Sequence, residues 1–141
     1  MVKFFGSWNL ETTRLYALEY KAVVSPLIHQ DWAVVYDMRD WELATPESMT
    51  VFQSLIKWCF DKGLRSCIYV FEDSFIKQHY LKQITAKLDC LPESYSVTQM
   101  RNLDHAHDWL KTHGHDVDIK ALMEFEDQSI KRERSASNFT Y

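Results

Sequence analysis

A chain of 141 residues with a net charge of −4, three glycines and three prolines has the size of one domain and too few breakers for a loop-rich fold. No basic cluster is large enough to follow a phosphate backbone, which excludes nucleic acid as a partner. No apolar run reaches the length of a membrane span, the N-terminus lacks the apolar stretch of a signal peptide, and Cys59, Cys67 and Cys90 lack metal or redox spacing. The expectation is a cytoplasmic protein with reduced thiols.

In chain order, Val2, Lys3, Phe4 and Phe5 alternate weakly and predict a short strand, and Gly6, Ser7, Trp8 and Asn9 turn out of it. Asn9 is a good N-cap for a helix over 10–25. Its inward face reads as Tyr16, Tyr20, Val23 and Leu27, with Ala17 and Val24 beside them. Trp32, Ala33, Val34, Val35 and Tyr36 form an apolar run without alternation, as suits a central strand covered on both faces and flanked on both sides. Asp37, Arg39 and Asp40 are expected to end it, because charges cannot stay unpaired in a core. Thr45 as hydroxyl cap, Pro46 at the first helical position and Glu47 at the positive end of the dipole open a helix over 46–62. Met49, Phe52, Ile56, Cys59 and Phe60 mark its buried stripe, and Lys62 and Gly63 stop it.

A second interior strand follows over 65–71, with Cys67 buried and inert inside it. Asp73 or Ser74 caps a helix over 75–88, whose apolar positions Ile76, Tyr80, Ile84 and Leu88 are spaced by four. Residues 95–100 alternate, as expected of a strand nearer the sheet edge. Asn102 or Asp104 then caps a short helix that turns Ala106, Trp109 and Leu110 inward and ends at Gly114. Residues 116–130 read as a weakly amphipathic extra helix and 131–141 as a polar tail. The β-α-β-α-β-α-β-α order predicts a single α/β domain over 1–115, with a mostly parallel four- to five-stranded sheet flanked by helices, and an extension over 116–141.

Parallel sheets bind ligands outside the carboxyl ends of their strands. Three loops should gather there and make a recognition edge from Trp8, Asn9, Arg39, Asp40, Trp41, Thr45, Asp73 and Ser74. A plainer account serves the same residues: Asn9, Thr45 and Asp73 as caps, and Arg39 paired to Asp40 or Asp37. A second cluster, His105, His107, His113 and His115 with Asp104, Asp108 and Asp116, has residue types that could ligate a metal. On a helix, however, His105 and His107 lie about 200° apart and cannot share an ion; a solvated polar face explains them better. No nucleophile, base and orienter announce themselves, no Gly-rich loop cradles phosphate, and no cofactor is implied.

The run Gly6-Ser7-Trp8-Asn9, residues 32–47 (WAVVYDMRDWELATPE), and Asp104, Ala106, Trp109 and Leu110 resemble the SpoIIAA-like, STAS-type family, also called STAS/SEC14 domains, over residues 3–113. The resemblance implies a small α/β domain with a mostly parallel sheet, usually opened by an antiparallel strand that this chain lacks or replaces with its C-terminal segment. Anti-sigma-factor antagonists of that superfamily carry an Asp-Ser-Ser-Gly phosphorylation loop. Leu43-Ala44-Thr45-Pro46 stands there instead, leaving Thr45 as the one candidate phosphosite and arguing against the phosphoserine switch. Two functions are therefore expected. The first is a non-enzymatic interaction and regulatory module with a protein partner; the second is a domain binding a small apolar or lipid-like molecule between sheet and helices. An uncovered sheet edge would also permit a homo-oligomer.

Overall fold

The structure, a computed structural model, describes residues 1–88 and 91–115. The expectations for Cys90, for a helix and tail after residue 115, and for a replaced first strand lie outside those residues. Among the described residues nine elements follow in order: β1 (Val2–Trp8), α1 (Leu10–Val24), a 3-10 turn (Ser25–Leu27), β2 (Trp32–Ala44), α2 (Pro46–Asp61), β3 (Leu64–Val70), α3 (Phe75–Thr85), β4 (Ser96–Met100) and α4 (Leu103–Thr112). All four strands are parallel and lie in the order β1-β2-β3-β4. The expected α/β architecture is therefore present.

Stepping one way across a parallel sheet with crossovers of one hand puts the connecting helices on one face. α1 packs on α2 and α2 on α3. Beneath them Phe4, Val34, Tyr36, Met38, Cys67, Tyr69 and Phe71 join the buried side chains of α1, α2 and α3 in the main core. α4 lies on the opposite face, where Ala106 and Leu110 meet Val35, Ile68 and Val70. Among the described residues no helix is long and apolar enough to cross a membrane.

β2 departs from expectation in length and in pairing. It continues through Asp37, Arg39 and Asp40 to Ala44, because those charges are paired rather than expelled. Its residues 32–37 pair with β3, whereas residues 36–44 pair with β1. Only Tyr36 and Asp37 have a described strand on both sides, so the run 32–36 is buried as expected except at the half-buried Ala33, and is flanked twice only at its end. The β1–β2 register shifts twice, between Lys3 and Phe5 and between Gly6 and Ser7. An extra residue inverts which face the following side chains take. Met38 and Trp41, three apart, thus both enter the main core.

Two further positions differ. Val23 was expected inward but is 75% exposed, while Thr13, Tyr20 and Val24 are buried and Tyr16 and Ala17 half-buried. The face follows steps of four from Tyr16 through Tyr20 to Val24, and Val23 stands about 100° off that line. α3 ends at Thr85, three residues early, and Ile76 in its first turn is exposed while Ile84 is buried.

Gly63 ends α2 as expected, at φ +106. A Cβ there would lie 2.6 Å from the Gln30 carbonyl oxygen. The same turn holds β2 in place, for Trp32 N–H donates to Gly63 O at 3.1 Å and Trp32 Nε1 to Lys62 O at 3.1 Å. Gly63→Ala is expected to lower the unfolding free energy by roughly 1–3 kcal/mol; urea denaturation with an unchanged m-value reads it, and a neutral result would refute the backbone argument.

Burial pushes the Cys59 thiol up from about 9 to about 12, and Cys67 is also raised. Both are free and buried, hence protonated at neutral pH and closed to reagents. A raised folded-state value means that the unfolded chain releases its proton first. The stability contributed by Cys59 is whole below pH 9 and drains away as pH climbs toward 12. Each such thiol should cost up to about 1.4 kcal/mol per pH unit in that window. Guanidinium unfolding across pH 7–11 should show stability falling from about pH 9 upward; a flat profile would contradict the buried-thiol placement.

Candidate functional site

Because the strands are parallel, the turns after β1, β2, β3 and β4 all open at the carboxyl edge. Three of the helix starts there are capped by side chains: Asn9 Oδ1 accepts from Thr12 N–H at 2.9 Å, Ser74 Oγ from Lys77 N–H at 3.3 Å, and Asn102 Oδ1 from His105 N–H at 2.8 Å. Ser74 rather than Asp73 caps α3, and Asp73 instead pairs with Arg101 on the surface.

Thr45 is the exception and corrects the expectation that its hydroxyl caps α2. Its backbone takes the N-cap position, but its side chain makes no capping bond. Its Oγ1 lies 3.0 Å from Ser48 Oγ, which lies 2.9 Å from Thr13 Oγ1, which lies 2.8 Å from the Asn9 carbonyl oxygen. Each hydroxyl owns one hydrogen and a carbonyl owns none. Thr13 must therefore donate to Asn9, Ser48 to Thr13, and Thr45 to Ser48. The relay stitches α1 to α2, and both inner members are wholly buried.

The charges that carry β2 outward sit beside it. Asp37 is 0% exposed, and Arg39 reaches both of its oxygens, Nε to Oδ1 at 2.8 Å and an Nη to Oδ2 at 2.8 Å. Residues two apart in a strand share a face, which is what lets this fork form. Arg39 is thus paired to Asp37, while Asp40 pairs with Lys3 Nζ at 2.9 Å. Beyond Asp37, where β3 no longer runs alongside, α3 serves the open flank of β2. Lys77 Nζ donates to Arg39 O at 2.7 Å, and Tyr80 Oη lies 3.3 Å from Ala44 N and 3.4 Å from Ala44 O.

Two open grooves result. One, of about 530 Å³, is lined by Phe5, Gly6, Arg39, Asp40, Glu42 and Lys77, with Trp41 at its floor. The other, of about 380 Å³, is lined by Ser7, Trp8, Asn9, Leu43, Ala44 and Thr45. The structure therefore gathers Trp8, Asn9 and Thr45 on one groove and Arg39 and Asp40 on its neighbour, and leaves Asp73 and Ser74 off both. Trp41 is not a rim residue. It is 1% exposed, with its ring among those of Phe4, Trp8, Phe52 and Tyr80. Phe5, Leu43, Lys3 and Lys77 were missed. The one legible clue was Asp37-x-Arg39, opposite charges at strand spacing, which pair instead of breaking the element.

The histidines do not converge. His105 stands in the exposed first turn of α4, His107 Nδ1 is 3.5 Å from Asp108, His113 stacks on Trp109 at 3.7 Å, and His115 Nε2 is 3.3 Å from Ser66 Oγ. Among the described residues no three His, Cys, Asp or Glu side chains group as a metal site; Asp116 lies outside them. Between sheet and helices the core leaves a cavity of about 10 Å³, room for about one water.

No family model matches this chain, and searches of curated proteins and of solved structures likewise find no match.

Removing the Arg39 guanidinium would strand a fully buried carboxylate. Arg39→Ala is expected to cost roughly 3 kcal/mol, while Asp37→Val combined with Arg39→Val should recover most of that loss. Denaturant unfolding of the single and double variants checks both, and an Arg39→Ala protein as stable as the parent would remove this pair from its structural role.

Proposed function

We propose that this chain is a non-enzymatic protein-interaction and regulatory module of STAS-like type, which offers the carboxyl edge of β1 and β2 to a segment of a partner protein. The observation that carries the proposal is the half-exposure of two apolar side chains, Phe5 and Leu43, each 52% exposed, on paired strands that outrun β3. A rigid strand pair holds them beside the two grooves, with the partly exposed Arg39 and Asp40 alongside, each ion-paired to a buried partner, Asp37 and Lys3. An apolar centre with a polar surround is the composition of a recognition surface.

The non-enzymatic part is supported by the Thr45, Ser48 and Thr13 relay, which ends on a backbone carbonyl and includes no imidazole or carboxylate that would activate a hydroxyl. Thr45 stands where the resemblance puts a phosphorylation loop, but with its hydrogen committed inward and without the paired serines. Regulation in this reading acts through occupancy of the edge. Among the described residues, the small core cavity would take a lipid only by displacing packed aromatic side chains, so it does not itself favour the alternative of a lipid enclosed between sheet and helices. Pairing with a second copy of the chain belongs to the same proposal, because no described strand lies along the outer side of β1.

Exposed positions make the cleanest probes. Phe5→Asp and Leu43→Asp should each reduce recovery of the partner from the native source at least tenfold with thermal stability retained, whereas Leu18→Asp on the outer side of α1 should not. Equal recovery by all three variants would sink this edge as the docking surface.

A further inference from the structure

One face of the sheet is closed more fully than its described elements account for. α4 is the only described helix on that side, and its packing is on β2, β3 and β4. Alternation along β1 turns Lys3 away from Phe4 and the main core, onto this same side. A lysine on the outermost described strand ordinarily stands in water. Its side chain is instead only 7% exposed. Asp37, opposite it in the ladder, is wholly buried. Beyond the pairs with Asp40 and Asp37, Lys3 and Arg39 each have a further interaction.

The sequence that follows α4 has the reach and the chemistry to close this face. α4 runs from the carboxyl edge back to the amino edge, where His115 Nε2 lies 3.3 Å from Ser66 Oγ. Ser66 stands opposite Ala33 of β2. Residues 116–130 (DVDIKALMEFEDQSI) hold five carboxylates against one lysine, the complement of a face that carries Lys3 and Arg39. On a helix Ile119, Leu122, Met123 and Ile130 share one stripe, and Glu126 falls inside it, four residues before Ile130. A carboxylate within an apolar stripe needs a cation to meet it. As helix, the eleven residues from His115 to Glu126 span about 16 Å, and the strand from Ala33 to Asp37 and Arg39 spans about 13–20 Å.

We propose that residues 117–130 form a helix that lies on this face beside α4, with Ile119, Leu122 and Met123 over Ala33 and Val35 and with Glu126 ion-paired to Lys3 and Arg39. The segment is an intramolecular cover for β1 and β2, on the side away from α1, α2 and α3. It stands apart from the docking edge, whose Phe5 and Leu43 it leaves exposed.

The full chain tests this by NMR and unfolding. Methyl groups of Ile119, Leu122 and Met123 should show Overhauser contacts to those of Ala33 and Val35 within one molecule. The 119–130 amides should exchange roughly tenfold or more slowly than in an unstructured peptide. Glu126→Lys should lower the urea midpoint, and in a cycle of Lys3→Met and Glu126→Gln the double variant should lose less than the sum of the singles. Contacts only between differently labelled copies would put the segment on a second molecule and overturn the cover. So would unprotected amides over 119–130, contacts to Leu15 and Leu18 of α1 instead, or an additive cycle. Should Lys3→Met fail to fold, the wild-type contacts and exchange rates decide the matter alone.

Discussion

The bidentate pair between Asp37 and Arg39 decides how far β2 can run. A carboxylate with no solvent access needs every lone pair it can place, and the guanidinium two residues on supplies a fork with matching geometry. With that charge settled, the strand passes the end of β3 and carries seven more residues toward the carboxyl edge. Everything at the edge follows from this overrun. β1 gains its partner there, α3 turns Lys77 and Tyr80 onto the flank that β3 leaves, and the two grooves open one after the other along the strand pair, the first ending at Glu42 and the second beginning at Leu43.

Underneath, the same overrun is anchored by aromatic packing. Phe4 sits within ring contact of Trp8, Tyr16, Tyr36, Trp41 and Phe52, so the first two strands are locked to α1 and α2 by one cluster. The register shifts in the β1–β2 ladder turn Trp41 inward and bring Leu43 out. Groove and core are therefore two sides of one strand pair. A rim that rests on a packed aromatic floor holds its shape before any partner arrives, which lowers the ordering cost of binding.

Much of the fold could be read from residue pattern because each element carried its own signal. The alternation of apolar runs with helical stripes, the caps Asn9, Ser74 and Asn102, and the stop at Gly63 are local features, and local features survive in a single sequence. The edge was less legible because its determinants are pairings. Asp37 alone reads as a strand breaker; only its partner makes it a strand residue. Trp41 alone reads as a rim aromatic, since nothing in the sequence marks the inserted residue that flips its side. Val23 and Val24 are indistinguishable by type, and only the position of α1 at the end of the helix layer sorts them. Thr45 has the chemistry of a cap, and the neighbouring Ser48 on the next turn drew its hydroxyl away.

The one-way order of that hydroxyl chain gives the mouth of the second groove a sign. With its single hydrogen spent on Ser48, Thr45 can meet the groove only with lone pairs. An amide or ammonium arriving there finds an acceptor waiting, while a carboxylate or phosphate oxygen finds electron density facing its own. Polarity at this doorway is thus set from inside the molecule, by the Asn9 carbonyl three oxygens away.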